Sequence, residues 1–184
     1  AIFLSAKMRE DYEIRFKSSS MKWIVRNAGA AYIRMNQVEN SKLHVDPDLI
    51  RLVHASNLTV DKGALLVIDV MSELLSRFEK VNCNLLGPVD DVRIAEKVMK
   101  LQQLYPSRFI HTGSYDNSLL SSVLSHTDFF LFPSNYKNEA SPIVVLEAQS
   151  AGVAVIASNV GTIGTEILAP GCSVDLNRWF ETVI

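Results

Sequence analysis

From Leu49 onward, the sequence alternates about five times between a short apolar run and a helical pattern. Several of the apolar runs, among them DFFLFP and VAVIAS, are apolar on both faces, as a strand between two layers of helices must be. The alternation therefore predicts an α/β fold built on a doubly wound, Rossmann-like parallel sheet. The predicted strands are Ile50–Ser56, Asn82–Leu86, Arg108–Thr112, Asp128–Pro133 and Ala154–Ser158. The predicted helices are Gly63–Lys80, Asp90–Tyr105, Ser118–Ser125 and Pro142–Ala151, with a short one near Thr165.

The composition argues against several classes of protein. The 184 residues are 48% hydrophobic, which allows one full domain plus a fragment. A net charge of −2 gives no general attraction to nucleic acid, and no apolar run reaches the roughly 20 residues that span a bilayer. Cys83 and Cys172 lie far apart in apolar runs, as free thiols in a reducing cytoplasm do. We predict a cytoplasmic protein that binds no nucleic acid and needs no metal or cofactor, with peripheral membrane association left open.

The loops that follow the strands are the places to look for a ligand. In a parallel sheet these loops share one edge, where ligands bind. They are Asn57–Lys62, Gly87–Asp91, Gly113–Asn117, Ser134–Ser141 and Asn159–Gly164.

The segment PSNYKNEASPIVVLEAQSAG, residues 133–152, contains a short helix with clear ends. Ser141 is a suitable N-cap, Pro142 fits the first turn, and Gly152 ends the helix. The unpaired N–H groups of the first turn and the aligned peptide dipoles favour an anion such as a diphosphate. We expect Ser141, Pro142 and Ile143 to bind it.

Two glutamates belong to the same segment. Glu147 lies about 7.5 Å along the helix from Pro142 and on its apolar stripe, so its carboxylate needs a partner such as ribose hydroxyls. Glu139 precedes the helix, within reach of whatever its first turn binds. Two alternatives stay open: Glu147 pairs with a lysine or a backbone N–H, and Glu139 is an ordinary surface residue.

These residues carry a resemblance to a known family. Two glutamates separated by seven residues, following a DFFLFPS strand, resemble the signature of the retaining family 4 glycosyltransferases, which have the two-lobed GT-B architecture. The similarity extends through VAVIASNVGTIGTEI to Glu166. The resemblance implies that this chain contains the half of such an enzyme that binds the activated sugar donor.

An earlier loop also resembles the family. SNLTVDKG, residues 56–63, is similar to its Gly-Arg-Leu-x-x-x-Lys-Gly loop, in which Arg and Lys neutralise the donor diphosphate. Lys62 is present, but Asn57 replaces the Arg, and an amide offers only a short neutral donor where Arg offers charged bidentate contacts. Gly113 and Tyr115 match the loop that packs near the base, although they could equally be plain turn residues.

The start of the chain resembles a piece of the other lobe. Ala1–Ser5, a helix from there to about Lys17, and Lys22–Arg26 resemble the last strand–helix–strand of the N-terminal, acceptor-binding lobe. We expect residues 1–41 to be a remnant of that lobe with the interdomain crossing. Residues 42–184 would form the donor-binding domain, truncated at its C-terminus and inactive on its own.

The resemblance implies retaining transfer of a sugar from a UDP-, GDP- or ADP-sugar, without a metal, in polysaccharide biosynthesis. The sugar or lipid-linked acceptor would be held by the missing lobe. Lys62 and Glu139 would be catalytic, with Lys62 stabilising the leaving diphosphate, and Glu147 would bind the ribose. Two alternatives are a sugar-nucleotide epimerase of similar architecture and a non-catalytic nucleotide-sugar-binding module that has lost the Arg.

Overall fold

A computed structural model describes residues 2–3, 6–17, 22–24, 46, 48–164, 173–175 and 178. Its main feature is a six-stranded sheet in the order β5-β4-β3-β6-β7-β8, in which all neighbouring strands are parallel. The strands are β3 (Ile50–Ala55), β4 (Val81–Leu86), β5 (Phe109–Thr112), β6 (Phe129–Phe132), β7 (Ala154–Ser158) and β8 (Ser173–Val174). The helices between them are α2 (Ala64–Arg77), α3 (Val92–Leu104), α4 (Asn117–Leu124) and α5 (Ile143–Ser150).

The chain order places β3 at the centre of the sheet. β3 pairs with β4 on one side and with β6 on the other, where Val53 lies opposite Phe130. After β5 the chain crosses back over β3 to begin the second half of the sheet at β6. Such a reversal opens a crevice at the carboxyl ends of the two central strands, and ligands of doubly wound sheets bind there.

Helices cover both faces of this sheet. One layer of the core joins α2 and α3 to Leu52 and Phe109, and the other joins α4 and α5 to Val53 and Phe130. The adjacent residues Leu52 and Val53 belong to opposite layers because successive side chains of a strand point to opposite faces. Each fully buried Phe or Leu stabilises the fold by about 1.5–3 kcal/mol. The predicted doubly wound α/β fold is confirmed.

Most element boundaries differ from prediction by one to three residues. The helix predicted over Gly63–Lys80 ends at Arg77, because Phe78 is extended (φ −123°, ψ 124°). Asp116 caps α4 by accepting from the N–H of Leu119 at 2.8 Å, so this helix begins at Asn117, one residue before its predicted start.

The N-terminal residues form a separate strand–helix–strand, of the type predicted. It consists of β1 (Ile2–Phe3), α1 (Ala6–Arg15) and β2 (Trp23–Ile24), and the two strands are parallel. Phe3 is buried, and its ring centroid lies 5.2 Å from that of Tyr12. The boundary expected near residue 42 and the short helix expected near Thr165 lie outside the described residues.

Candidate functional site

Three of the predicted loops meet at the carboxyl edge of the sheet. The loop after β3 contacts the loop after β6, where the N–H of Asn135 donates to the carbonyl of Asp61 at 2.7 Å. The loop after β7 folds onto the same segment, since the N–H of Thr162 donates to the carbonyl of Ala140 at 2.9 Å. These contacts assemble one cleft from segments up to a hundred residues apart.

Lys62 and Glu139 face each other in this cleft. The Lys62 Nζ lies 2.6 Å from Glu139 Oε2, and the Ser134 hydroxyl donates to the same oxygen at 3.2 Å. The Lys62 ammonium also lies 4.5 Å from the centre of the Tyr136 ring, a cation–π contact. The side chains of Lys62 and Glu139 are 23% and 9% exposed. Glu139 is therefore not an ordinary surface residue.

The helix that follows Glu139, α5, begins one residue later than predicted. Ser141 does not cap the helix: the capping position is Pro142 (φ −68°, ψ 111°), no side chain caps it, and Ile143 is the first helical residue. A residue that precedes proline disfavours helical backbone, and the bond from Thr162 to Ala140 fixes the preceding segment in place. The N–H groups of Ile143 and Val144 have no acceptor among the described residues.

Glu147 lies one turn further along α5, near Tyr115 of the loop after β5. Its carboxylate is partly buried, and burial raises its pKa above the usual value. The pKa of Tyr115 is also raised, first by its own burial and then by the negative charge of Glu147. In the part of the chain that the structure describes, Glu147 forms no ion pair or side-chain hydrogen bond. The structural partner considered as an alternative is therefore not found among these residues.

The other predicted positions are open to solvent. Asn57 is exposed, two residues after the end of β3. Gly113 is exposed as well, and a Cβ there would meet nothing within 4 Å. Gly113 is not among the glycines with positive φ, so turn geometry does not require glycine at this position.

Gly87, at the end of β4, has a structural explanation. Its φ is positive (135°), and a Cβ on it would overlap the Ser56 carbonyl.

A cavity of about 630 Å³ extends along the same edge of the sheet. Mainly polar residues line it: Thr59, Val60, Asp61, Asp90, Asp91 and Asn135. Its position shows that the loop after β4 also reaches the cleft.

Four residues of the cleft were given no binding role by the sequence reasoning. They are His54, Ser56, Ser134 and Tyr136. Ser134 and Tyr136 contact the Lys62–Glu139 pair, and His54 contacts Ser56. Ser56 lies in the loop that resembles the family pattern, Ser134 and Tyr136 lie in the predicted ligand-binding loop Ser134–Ser141, and nothing in the sequence marks His54.

The described ranges hold no metal-binding cluster and no membrane-spanning helix. They contain no group of three or more His, Cys, Asp or Glu side chains that could hold a metal ion. No helix within them has the length and apolar character needed to cross a membrane.

The parallel sheet, its central crevice and the polar cleft at its carboxyl edge define a Rossmann-like domain of the GT-B type. The chain belongs to the family "Glycosyl transferases group 1", whose model matches residues 36–172.

Three similar proteins illustrate the relationship. The chain is 31% identical over 145 residues to the cell wall alpha-1,3-glucan synthase mok11 of Schizosaccharomyces pombe, covering 71% of this chain and 6% of that protein. It is 29% identical over 133 residues to the glycogen synthase of Clostridium perfringens, covering 69% and 27%. A trehalose-6-phosphate synthase structure, studied for glycosyl transfer with retention, superposes with a TM-score of 0.70 at 12% identity, covering 99% and 50%. The chain thus spans half or less of each of these proteins.

Proposed function

We propose that this chain binds the donor in a retaining glycosyltransferase of family 4, which transfers a sugar from a nucleotide diphosphate sugar. The observation that carries the proposal is the ion pair of Lys62 with Glu139, a residue of the segment that leads directly into α5. A cation, together with two N–H groups at a helix start that have no acceptor in the described part of the chain, suits the diphosphate of a UDP-, GDP- or ADP-sugar.

In this proposal, the two ends of the donor meet different residues of the cleft. The diphosphate gains negative charge as the glycosidic bond to the sugar breaks, and Lys62 together with the α5 dipole stabilises that charge. Glu139 contacts the sugar or its phosphate once Lys62 turns to the diphosphate. No residue of this cleft needs a metal for these roles.

Glu147 serves the nucleoside end in this proposal. A carboxylate accepts hydrogen bonds strongly, and ribose offers two adjacent hydroxyl donors. Glu147 is partly buried and has no described ion-pair partner, so a ribose would compensate its burial. Tyr115 and Gly113 lie on the same side and would contact the base.

The retaining outcome and the larger enzyme are parts of the same proposal. The superposed trehalose-6-phosphate synthase was studied for transfer with retention. Because this chain spans half or less of its relatives, we assign the acceptor, a sugar or lipid-linked glycan, to a second lobe. We also propose that the protein acts in the cytoplasm, in polysaccharide biosynthesis, without a cofactor and without binding nucleic acid. Peripheral membrane association would bring it to a lipid-linked acceptor.

Calorimetry with UDP, GDP and ADP tests donor binding. We expect one of them to bind weakly, and Lys62→Ala to weaken that binding about tenfold, since a charged hydrogen bond contributes about 1.5–3 kcal/mol. Lys137→Ala is the matched control, because Lys137 is an exposed lysine of the loop that carries Glu139. The proposal fails if none of the three ligands binds at millimolar concentration, or if both variants weaken binding equally.

A second candidate, a non-catalytic binding module, is favoured by one observation. Asn57 is exposed and neutral where the family places Arg, so the diphosphate has one cation fewer. If this loss removed function, Asn57→Arg should raise nucleotide affinity at least tenfold from a very weak starting value. Micromolar binding by the wild-type chain would remove the reason for this candidate.

A further inference from the structure

A buried histidine holds the side chain of Ser56 at the carboxyl end of β3. His54 is fully buried, and its ring stacks on Phe132. Its Nδ1 lies 2.8 Å from the carbonyl oxygen of Leu131, and its Nε2 lies 2.8 Å from the Ser56 hydroxyl. Both ring nitrogens are therefore occupied within the protein.

These contacts fix the direction of the Ser56 hydrogen. A carbonyl oxygen only accepts, so the Nδ1 of His54 carries a hydrogen. Burial, opposed by the hydrogen bond to Leu131 and assisted by the charge of Lys62, lowers the pKa of His54 to about 4. The ring is therefore neutral at pH 7, and its bare Nε2 accepts from Ser56.

The other neighbour of the Ser56 hydroxyl is also an acceptor. The carbonyl oxygen of Asn57 lies 3.0 Å away. Whichever of the two acceptors takes the hydrogen, that hydrogen is bonded within the protein. Ser56 is partly exposed, so what it offers a ligand is its lone pairs.

Because its hydrogen is already bonded, the Ser56 hydroxyl can only accept a hydrogen bond from a ligand, which limits the kind of group that it can bind. Phosphate oxygens only accept hydrogen bonds, so they would find no donor at Ser56, whereas a sugar hydroxyl can donate to its lone pairs. The pairing of Val53 with Phe130, continued along the two parallel strands, brings Ser56 beside Pro133. The next residue, Ser134, donates to Glu139, so Ser56 lies on the side of the cleft that contains the Lys62–Glu139 pair.

We propose that Ser56 is a specificity-determining residue that accepts a hydrogen bond from a hydroxyl of the transferred sugar, with His54 as its positioning residue. This inference rests on the proposed function, because it requires a nucleotide sugar in the cleft. It goes further by naming the sugar rather than the diphosphate as the partner of Ser56.

Calorimetry with paired ligands tests the inference on the chain of 184 residues. The pairs are UDP with UDP-glucose, GDP with GDP-mannose, and ADP with ADP-glucose, and the pair whose base the wild type accepts is used. We expect Ser56→Ala to weaken nucleotide-sugar binding about threefold to tenfold, as for loss of a neutral hydrogen bond, and to change diphosphate binding less than about twofold. Ser56→Thr keeps the hydroxyl and should bind both ligands like the wild type.

Ser56→Gly removes the hydroxyl by a second route and should reproduce the alanine result. Both variants leave the Nε2 of His54 without a donor, so their thermal midpoints should fall. Binding is therefore measured at a temperature well below those midpoints. Unchanged nucleotide-sugar affinity in Ser56→Gly, or an equal loss for both members of the pair, overturns the inference alone. A wild type that binds the diphosphate but no nucleotide sugar also overturns it, whereas one that binds neither overturns the proposed function as well.

Discussion

The ion pair between Lys62 and Glu139 has two opposing consequences for an anion. Lys62 attracts a diphosphate, but its charge is already neutralised by a carboxylate 2.6 Å away. A ligand must therefore compete with Glu139 before it gains the full attraction of Lys62. Because both side chains are largely buried, this competition is screened less than it would be between exposed side chains.

Glu139→Gln should tighten the binding of a nucleoside diphosphate. Removal of the competing charge frees Lys62, and we expect an increase in affinity of about threefold to tenfold, measured by calorimetry. A nucleotide sugar should gain less, because the sugar loses a charged acceptor. The control is Glu73→Gln, which removes a carboxylate paired with Arg77 on the exposed side of α2. Weaker diphosphate binding in Glu139→Gln would contradict competition between the carboxylate and the ligand.

Glu147 should make the fold less stable at neutral pH. Burial raises its pKa, so the folded state binds this proton more tightly than the unfolded state does. The resulting stabilisation is complete below the unfolded pKa and is lost as the pH rises through the folded pKa. Glu147→Gln should therefore show a slightly higher thermal midpoint than the wild type at pH 7.5 and the same midpoint near pH 4. Glu96→Gln, on the exposed side of α3, should show no such difference.

The same substitution should reduce nucleotide affinity. An amide oxygen accepts more weakly than a carboxylate, and we expect Glu147→Gln to bind the preferred nucleoside diphosphate about tenfold more weakly by calorimetry. A gain in stability together with a loss of affinity is the pattern of a residue kept for binding. A lower midpoint at pH 7.5 would instead indicate a structural role.

At the scale of elements, the loop after β7 determines where α5 begins. Gly161 has positive φ (56°), and a Cβ on it would lie 2.1 Å from the carbonyl oxygen of Glu139. This close approach lets the next residue, Thr162, bond to Ala140. The start of the helix, and so the orientation of its free N–H groups, depends on a contact with another loop.

Gly161→Ala should disturb both stability and binding. The strained backbone and the overlap with Glu139 should lower the free energy of unfolding by about 1–3 kcal/mol, measured by urea denaturation. Displacement of the loop should also weaken diphosphate binding. Gly113→Ala, where an added Cβ has open space, should change the free energy of unfolding by less than about 1 kcal/mol. Equal effects of the two substitutions on stability would contradict this account.

The start of α5 also shows where prediction from sequence succeeds and where it stops. Apolar runs predict the strands, because a strand buried on both faces needs apolar residues throughout. Ser141 and Pro142 form a favourable local start, yet Ile143 begins the helix, because Thr162 bonds to a residue 22 positions away.

The candidate site shows the same limit. Lys62 and Glu139 could be placed on one edge of the sheet from the strand order alone. Their direct ion pair, and the contacts that Ser134 and Tyr136 make with it, could not, because they depend on how two loops fold against each other. His54 has no local signal at all, since only the pairing of β3 with β6 brings it to Leu131.

At the scale of the molecule, the two sheets differ greatly in what holds them together. The six-stranded sheet buries apolar side chains on both faces. The two-stranded sheet pairs only two residues on each strand, and Ile2 and Trp23 are 73% and 61% exposed. Short two-stranded pairs are marginal in water, so the two parts should open with very different free energies.

Hydrogen exchange followed by mass spectrometry should resolve this difference and locate the ligand in one experiment. Amides of α1 should exchange orders of magnitude faster than those of β3 and β6, because only the latter open with the global unfolding of the sheet. Addition of the preferred nucleoside diphosphate should slow exchange in residues 56–63 and 133–145, where the loops of the cleft meet α5. Exchange in α3, on the opposite layer from α5, should not change. Protection of α1 equal to that of β3 would contradict the difference in stability, and slower exchange spread evenly over all helices would contradict a ligand held at the carboxyl edge.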